Sequence, residues 1–319
     1  MIAVLSHIVV DEVHPHGGGD VTIDVGGAGA YAAVGASLAV EPAGASGTGG
    51  PGAGPLEAGG PGVVLVSGVG RDDHRMLADW CLERQIDPTG LFEVGQDSPR
   101  TRIDYFADGE RRETPVHGLA HFDAHTPLPR HIPEAPSQLD GVYLFHDHDP
   151  AYWSEIESCR RQTRAPFLWE ISLDSCRPEA LPAVLDRLAV VDLLSLNRSE
   201  ALGLFDVGDL ADALEALSHL PVVVALRLGA EGSVVLENGV QWRVGAAPTV
   251  VVDPTGGGNS YSGALLTEFA RTGDPVGAAE VAAAAASLVI GVNGAPLVDE
   301  AARRLVRTLA PGTRRRRSA

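Results

Sequence analysis

Short apolar runs alternate with polar turns along the whole chain, in pieces of strand and helix length. Residues 2–10 predict a buried strand that ends at Asp11 and Glu12. Val21, Ile23 and Val25 alternate with polar residues, which predicts a half-exposed strand within 14–25. Gly26 to Ala39 reads as a glycine turn opening a small-residue helix that can pack very closely. Residues 63–69 form the next strand, followed by a helix with Met76, Leu77, Trp80 and Cys81 on one face. Thr101, Ile103 and Tyr105 alternate before Asp108-Gly109, the pattern of a hairpin over 100–117. Strands follow at 141–146, 167–170 and 222–228, with an amphipathic helix marked by Leu210, Ala213, Leu214 and Leu217. A β-branched run, Val250 to Val252, predicts a strand ending at Asp253. Two helices split at Thr272-Gly273-Asp-Pro cover 263–292. Strands alternating with helices predict an α/β fold with a mainly parallel sheet.

Composition narrows the class. At 319 residues and 45% hydrophobic, the chain can bury a large core, but aromatics are only 5% and Val, Leu and Ala must fill it. A formal charge of −18, spread along the chain, argues against nucleic-acid binding. Cys81, Cys159 and Cys176 are far apart and odd in number, as expected of reduced thiols in a cytoplasmic protein. The N-terminus reads as a first strand, and the alanine-rich 276–292 as a buried helix rather than a membrane span. Residues 41–62 are Gly/Ala/Pro-rich and predict a mobile surface loop. Arg314 to Arg317 predict a disordered basic tail.

Two stretches carry candidate chemistry. Gly256, Gly257 and Gly258 lie between the run ending at Asp253 and an Ala/Leu-rich helix. Such a turn lets backbone N–H groups converge at a positive helix end, a geometry suited to phosphate or a developing oxyanion. The second stretch is His146-Asp-His-Asp149 at the end of a strand. Adjacent strand residues alternate faces, so at most two of the four can share a metal ion without a turn. His146, Asp147 and Glu170 stand at strand ends, where α/β enzymes place substrate contacts.

Asp253-Pro-Thr-Gly-Gly-Gly-Asn259 resembles the D-[TS]-x-G-A-G-D signature of the PfkB/ribokinase family of sugar and nucleoside kinases. Other segments resemble that family's motifs in order. They are Gly26-Gly27, the Val-Gly-Arg-Asp-Asp run at 69–73, a lid hairpin, Asn197-Arg-Ser-Glu200, Leu228-Gly-Ala-Glu-Gly232 and Asn293-Gly-Ala-Pro296. The resemblance implies a three-layer α/β/α sandwich over 1–310 with a small β lid from about 12–25 and 99–117, and a tail at 311–319. It implies ATP and Mg²⁺, with K⁺ as an option near Asp253, and a small sugar or nucleoside as acceptor. It also allows a homodimer.

Roles carry over residue by residue. Gly256, Gly257 and Gly258 form the anion hole. Asp11, Gly26 and Gly27 hold substrate hydroxyls; apart from the family motifs, Arg102 is a candidate contact from the lid hairpin, and His146, Asp147 and Glu170 are candidates from their place at strand ends. Asn197, Gly229, Gly232 and Asn293 lie by the nucleotide, and Glu200 orders the metal's waters; Arg227 stands where the pattern often has a small polar or strand residue and is either a phosphate contact or a surface charge. The family's final Asp, the base, is Asn259 here. An amide has no useful basicity near neutral pH, so transfer is expected to be slow. General-base help is worth about 10²–10⁴-fold, so restoring Asp at 259 is expected to speed transfer at least ~10-fold. The alternative is a non-kinase on the same scaffold, either a nucleoside- or phosphosugar-binding pseudokinase or an enzyme of another reaction class that uses Asn259 and the His146–Asp149 cluster.

Overall fold

A computed structural model describes residues 1–15, 17–42, 62–106, 111–313 and 315–317. The expected loop at 41–62 and the Asp108-Gly109 turn fall almost wholly outside the described residues. In chain order the strands are β1 (Ile2–Leu5), β2 (Val9–His14), β3 (Thr22–Gly26), β4 (Val63–Val69), β5 (Leu91–Glu93), β6 (Arg100–Tyr105) and β7 (Arg111–Pro115). Then come β8 (Gly141–His146), β9 (Phe167–Ile171), β10 (Leu193–Asn197), β11 (Val223–Arg227), β12 (Ser233–Glu237), β13 (Val240–Val244) and β14 (Arg315–Arg317). The helices are α1 (Ala28–Ala39), α2 (His74–Glu83), α3 (Leu119–Ala124), α4 (Pro150–Arg160), α5 (Leu181–Arg187), α6 (Arg198–Phe205), α7 (Leu210–Ser218), α8 (Gly257–Thr272), α9 (Pro275–Val289) and α10 (Glu300–Leu309).

Among the described residues, ten strands make the main sheet, in the order β14-β13-β12-β11-β10-β9-β8-β1-β4-β5. From β5 to β11 neighbours run parallel, and β12, β13 and β14 add antiparallel. Alternation along each strand divides the core in two. Ile2 and Val4 pack with α1, α2, α8, α9 and α10, while Ala3 and Leu5 pack on the opposite face with α4 to α7. Both faces are covered, which is why the parallel strands are near-continuous apolar runs. The result is the expected three-layer sandwich.

A second sheet, β3-β2-β6-β7, forms the lid. The apolar run 2–10 is not one strand. It breaks after Leu5, and from Val9 the chain leaves the main sheet to become the lid's central β2. β2 then pairs antiparallel with β3 and parallel with β6. The 315–317 backbone pairs with β13 as an edge strand instead of forming a disordered tail. The open edge of β13 offers unpaired N–H and C=O groups that an extended segment can satisfy. Residues 250–252 are the converse case, since both edges of β13 are taken. Val250, Val251 and Val252 run outside any strand and stay 83%, 56% and 51% exposed.

Helices α1 and α8 cross at van der Waals contact because glycines face backbone. A Cβ on Gly35 would fall 1.9 Å from Ser260 O, and one on Gly263 would fall 2.0 Å from Ala32 O. This crossing fixes the start of α8 beside the Gly26-Gly27 turn.

Candidate active site

The turn before α8 is held by contact as well as by conformation. Gly256 is left-handed at φ 75°, and its missing Cβ would fall 2.1 Å from the Tyr31 ring. A Cβ on Gly257 would meet Ile290 Cγ2 at 2.8 Å, and one on Gly258 would meet Arg227 Nη1 at 2.0 Å. Asp253 Oδ1 accepts from Thr255 N at 2.9 Å and tightens the approach. The first turn of a helix has N–H groups without intrahelical partners, and its dipole adds positive potential.

This helix start borders a cavity of about 370 Å³, which Gly256 and Asn259 line and Gly257 and Gly258 do not. Its floor is Gly256 and Asn259 with Pro254 and Thr255, and one wall is Gly27, Ala28 and Tyr31. The lid closes it with Val9 and Asp11 from β2, Thr101 and Ile103 from β6, and Glu113 from β7. A wider hollow of about 640 Å³ lies between β3 and α2, lined by Asp24, Asp72, Asp79 and Glu83. Four carboxylates line it against one arginine, Arg75, so the smaller cavity is the one with anion-binding chemistry.

Strand alternation sorts the lid residues. Asp11 faces the cavity, and a Cβ on Gly26 would fall 2.0 Å from its Oδ2, so the glycine makes room for the carboxylate. Thr101 and Ile103 face inward, which turns Arg100 and Arg102 away. Arg100 Nη2 pairs with Asp73 at 2.6 Å, and Arg102 is 51% exposed and pairs with Asp104 at 2.8 Å. Arg102 is therefore not placed for a substrate contact, and the position is corrected by period-2 geometry. Glu113 and Tyr31 were missed by sequence reasoning. Glu113 is paired with Ile103 across the hairpin, and that register was the available signal.

Beneath the turn lies a buried polar network, built from the carboxyl ends of neighbouring strands. Glu170 is the last residue but one of β9 and is 2% exposed. Its Oε1 pairs with Arg227 Nη1 at 2.7 Å and accepts from Asn259 Nδ2 at 3.2 Å. Its Oε2 accepts from the Tyr143 hydroxyl at 2.7 Å. Arg227 Nη2 reaches Glu200 Oε2 at 3.4 Å. Burial alone pushes the Arg227 guanidinium down, but Glu170 and Glu200 together outweigh it and raise it above its ordinary value. Burial raises the Glu200 carboxyl, against the opposing pull of Arg227. Burial, then the Glu170 charge, raises the Tyr143 phenol.

The remaining sequence-predicted residues are scattered. Asn197 lies in register with Arg227, and its side chain caps α6 in a reciprocal box with Glu200. Gly229 and Gly232 bracket the β11–β12 turn at φ 60° and 87°. Asn293 is exposed, just beyond Ile290, whose carbonyl accepts from Val252 N and Asp253 N. His146 stacks on Tyr152 at 3.8 Å, with Nδ1 2.8 Å from Asp147 Oδ1. His148 contacts Ser175, and Asp149 caps α4. Neither His146 nor Asp147 lines the cavity. Among the described residues no group of three or more His, Cys, Asp or Glu converges as a metal site. The three thiols are buried and free, with burial pushing Cys81 and Cys176 up to about 12.

The glycine turn, the lid and the order of motifs agree with a comparison across the whole domain, in which the model of the pfkB family carbohydrate kinases matches residues 2–301. The chain belongs to the pfkB family. A pfkB kinase is a phosphotransferase with an alcohol group as acceptor. The chain is 31% identical to 2-dehydro-3-deoxygluconokinase of Thermoproteus tenax over 72% of its own length and 74% of that protein. It is similar in structure to adenosine kinase from Sinorhizobium meliloti, with TM-score 0.70, 22% identity and coverage of 95% and 98%. A putative ribokinase II from E. coli, solved with ATP and Mg²⁺, gives TM-score 0.73, 15% identity and coverage of 96% and 98%. At these identities the likeness to solved structures concerns the pfkB fold. Among the described residues no helix is long and apolar enough to cross a membrane.

Proposed function

We propose that this protein phosphorylates a hydroxyl of a small sugar, nucleoside or related polyol, using ATP, and does so slowly. The observation that carries the reading is the cavity itself. It places the lid carboxylates of Asp11 and Glu113 opposite Gly256 and Asn259 at the start of α8, with a volume of about 370 Å³. Asp11 accepts hydrogen bonds from acceptor hydroxyls. The α8 amides stabilise charge on the transferring phosphoryl group, the larger part of catalysis in a loose transition state. The exposed Val250, Val251 and Val252, with Val292 across the Ile290 contact, offer an apolar surface for a base beside that turn.

Glu200 fits one limited metal role. With one oxygen spent on its own helix cap and on Arg227, it can hold a water of a Mg²⁺ carried by the triphosphate, but cannot join a closed cage. Bound there, Mg²⁺ would neutralise phosphate charge. A K⁺ site near Asp253 belongs to the same proposal. The second reading, a non-kinase using the His146–Asp149 cluster, gains nothing from the geometry, because His146 and Asp147 lie outside the cavity lining.

Thermal shift with ATP, ADP, sugars and nucleosides, each with and without Mg²⁺, tests the reading. Stabilisation by ATP·Mg²⁺, followed by acceptor-dependent ADP release, is the expected result. Stabilisation by a nucleoside or phosphosugar alone, with no ADP released for any acceptor, overturns it.

A further inference from the structure

Position 259 meets the buried network at Glu170, with the Tyr143 hydroxyl also beside it. Glu170 Oε1 receives both Asn259 Nδ2 at 3.2 Å and Arg227 Nη1 at 2.7 Å. A carboxylate only accepts, so Glu170 sets the amide with its NH₂ inward and Oδ1 toward the cavity that Asn259 lines. An aspartate at 259 would put an oxygen against Glu170 Oε1 at a similar separation. Two carboxylates so close do not both ionise readily. Arg227 has no spare charge to offer, since Glu200 already shares it. The network holds two carboxylates and one guanidinium before anything is added at 259. The groups around that position are Glu170 on β9, Arg227 on β11, Glu200 on α6 and Tyr143 on β8, with Asp11 and Glu113 across the cavity.

We propose that Asn259 is the partner selected by the Arg227–Glu170–Glu200 network, with Glu170 the positioning residue that turns Asn259 Oδ1 toward the acceptor's reacting hydroxyl. This rests on the cavity being the acceptor site. The amide oxygen accepts the hydroxyl's hydrogen bond and aims its oxygen at the γ-phosphorus without taking the proton. The hydroxyl oxygen forms the new bond to phosphorus. The bond from phosphorus to the ADP oxygen breaks, and its electron pair leaves with ADP. The hydroxyl proton passes to a non-bridging oxygen of the transferred group and ionises into water. A loose transition state asks little of a base. Restoring aspartate at 259 therefore fails by itself, and the tenfold gain expected from the sequence appears only when Glu170 is also neutralised.

The test uses wild type, N259D, E170Q and N259D/E170Q, melted between pH 4.5 and 8.5. Wild type is also labelled with ¹⁵N-asparagine, since the chain has only four asparagines. At pH 8, N259D melts lower than wild type by about 3 °C or more. The gap narrows toward pH 4.5, because the added carboxyl has a raised folded-state pKa and its penalty grows with ionisation. Adding E170Q recovers at least half of the loss at pH 8. In wild type the Asn259 side-chain amide exchanges about tenfold more slowly than that of exposed Asn293. E170Q speeds that exchange. An N259D protein that melts with wild type at pH 8, or an Asn259 amide that exchanges as fast as that of Asn293, overturns the proposal. If E170Q does not fold, the N259D series and the wild-type exchange decide it. No readout needs an acceptor, so failure to find ATP turnover counts against the kinase reading alone.

Discussion

Gly258 and Arg227 compete for one space. A Cβ on Gly258 would fall 2.0 Å from Arg227 Nη1, so the guanidinium sits against the first turn of α8 only because that residue is glycine. Gly258→Ala must shift the helix start or expel a buried, paired guanidinium. Overpacking of this kind costs about 1–3 kcal/mol. Gly257→Ala meets only the Cγ2 methyl of Ile290, at 2.8 Å, and is expected to cost less. Urea unfolding of the two variants compares them. Equal stabilities would show that the guanidinium is not held against the turn.

Arg227→Met leaves Glu170 and Glu200 facing each other in a buried site with no cation between them. Breaking a buried pair by removing one partner costs about 3–5 kcal/mol. The carboxyls then have raised folded-state pKa values, so the loss is full at neutral pH and shrinks as pH falls toward the unfolded Glu range. Arg227→Lys keeps the charge but not the fork that spans both carboxylates, and lands between the two. A methionine variant with the pH–stability profile of wild type contradicts this account.

The three-layer order and the glycine turn were legible because period and turn chemistry are local signals. The Gly35 and Gly263 contacts follow from the same small-residue pattern. Long-range placement was less legible. Val9 and Val10 read as the continuation of a core strand, since they are as apolar as Ile2 to Leu5. Only sheet pairing shows that β2 belongs to the lid. Val250 to Val252 have strand-like side chains, but both edges of β13, the strand that precedes them, are occupied. Arg102 was misjudged because its charge was weighed before its parity with Thr101 and Ile103. Glu170 and Arg227 were each visible, but their pairing across β10 depends on the strand order.

The lid gives a direct contrast. Glu113 lines the cavity, whereas Arg102 is turned to solvent and paired with Asp104. With any acceptor that releases ADP, Glu113→Gln is expected to raise KM by at least about threefold, an effect near 0.7 kcal/mol and modest for a hydrogen bond to a charged group. Arg102→Ala should leave KM within about twofold, as an exposed ion pair contributes little. The reverse ranking of these two variants would move the acceptor to the other face of the lid.

His7 links lid stability to pH. It lies between β1 and β2, where the chain passes from the main sheet into the lid, and its Nε2 donates to Phe122 O at 3.0 Å. Burial lowers its pKa from 6.5 to about 4, against a smaller opposing effect of the Phe122 carbonyl. Nearby His146 and His125 lower it further. The folded state thus favours neutral imidazole, while the unfolded chain takes up a proton near 6.5. The stabilisation is full above about pH 6.5 and is lost as pH falls toward 4, by about 3 kcal/mol. His7→Gln can still donate to Phe122 O but cannot gain a charge. Carboxylates that titrate at low pH do so in both proteins, so the difference between them isolates His7. Urea unfolding from pH 7.5 to 4.5 should give a steeper loss for wild type than for His7→Gln, and parallel curves would place the His7 ring in water.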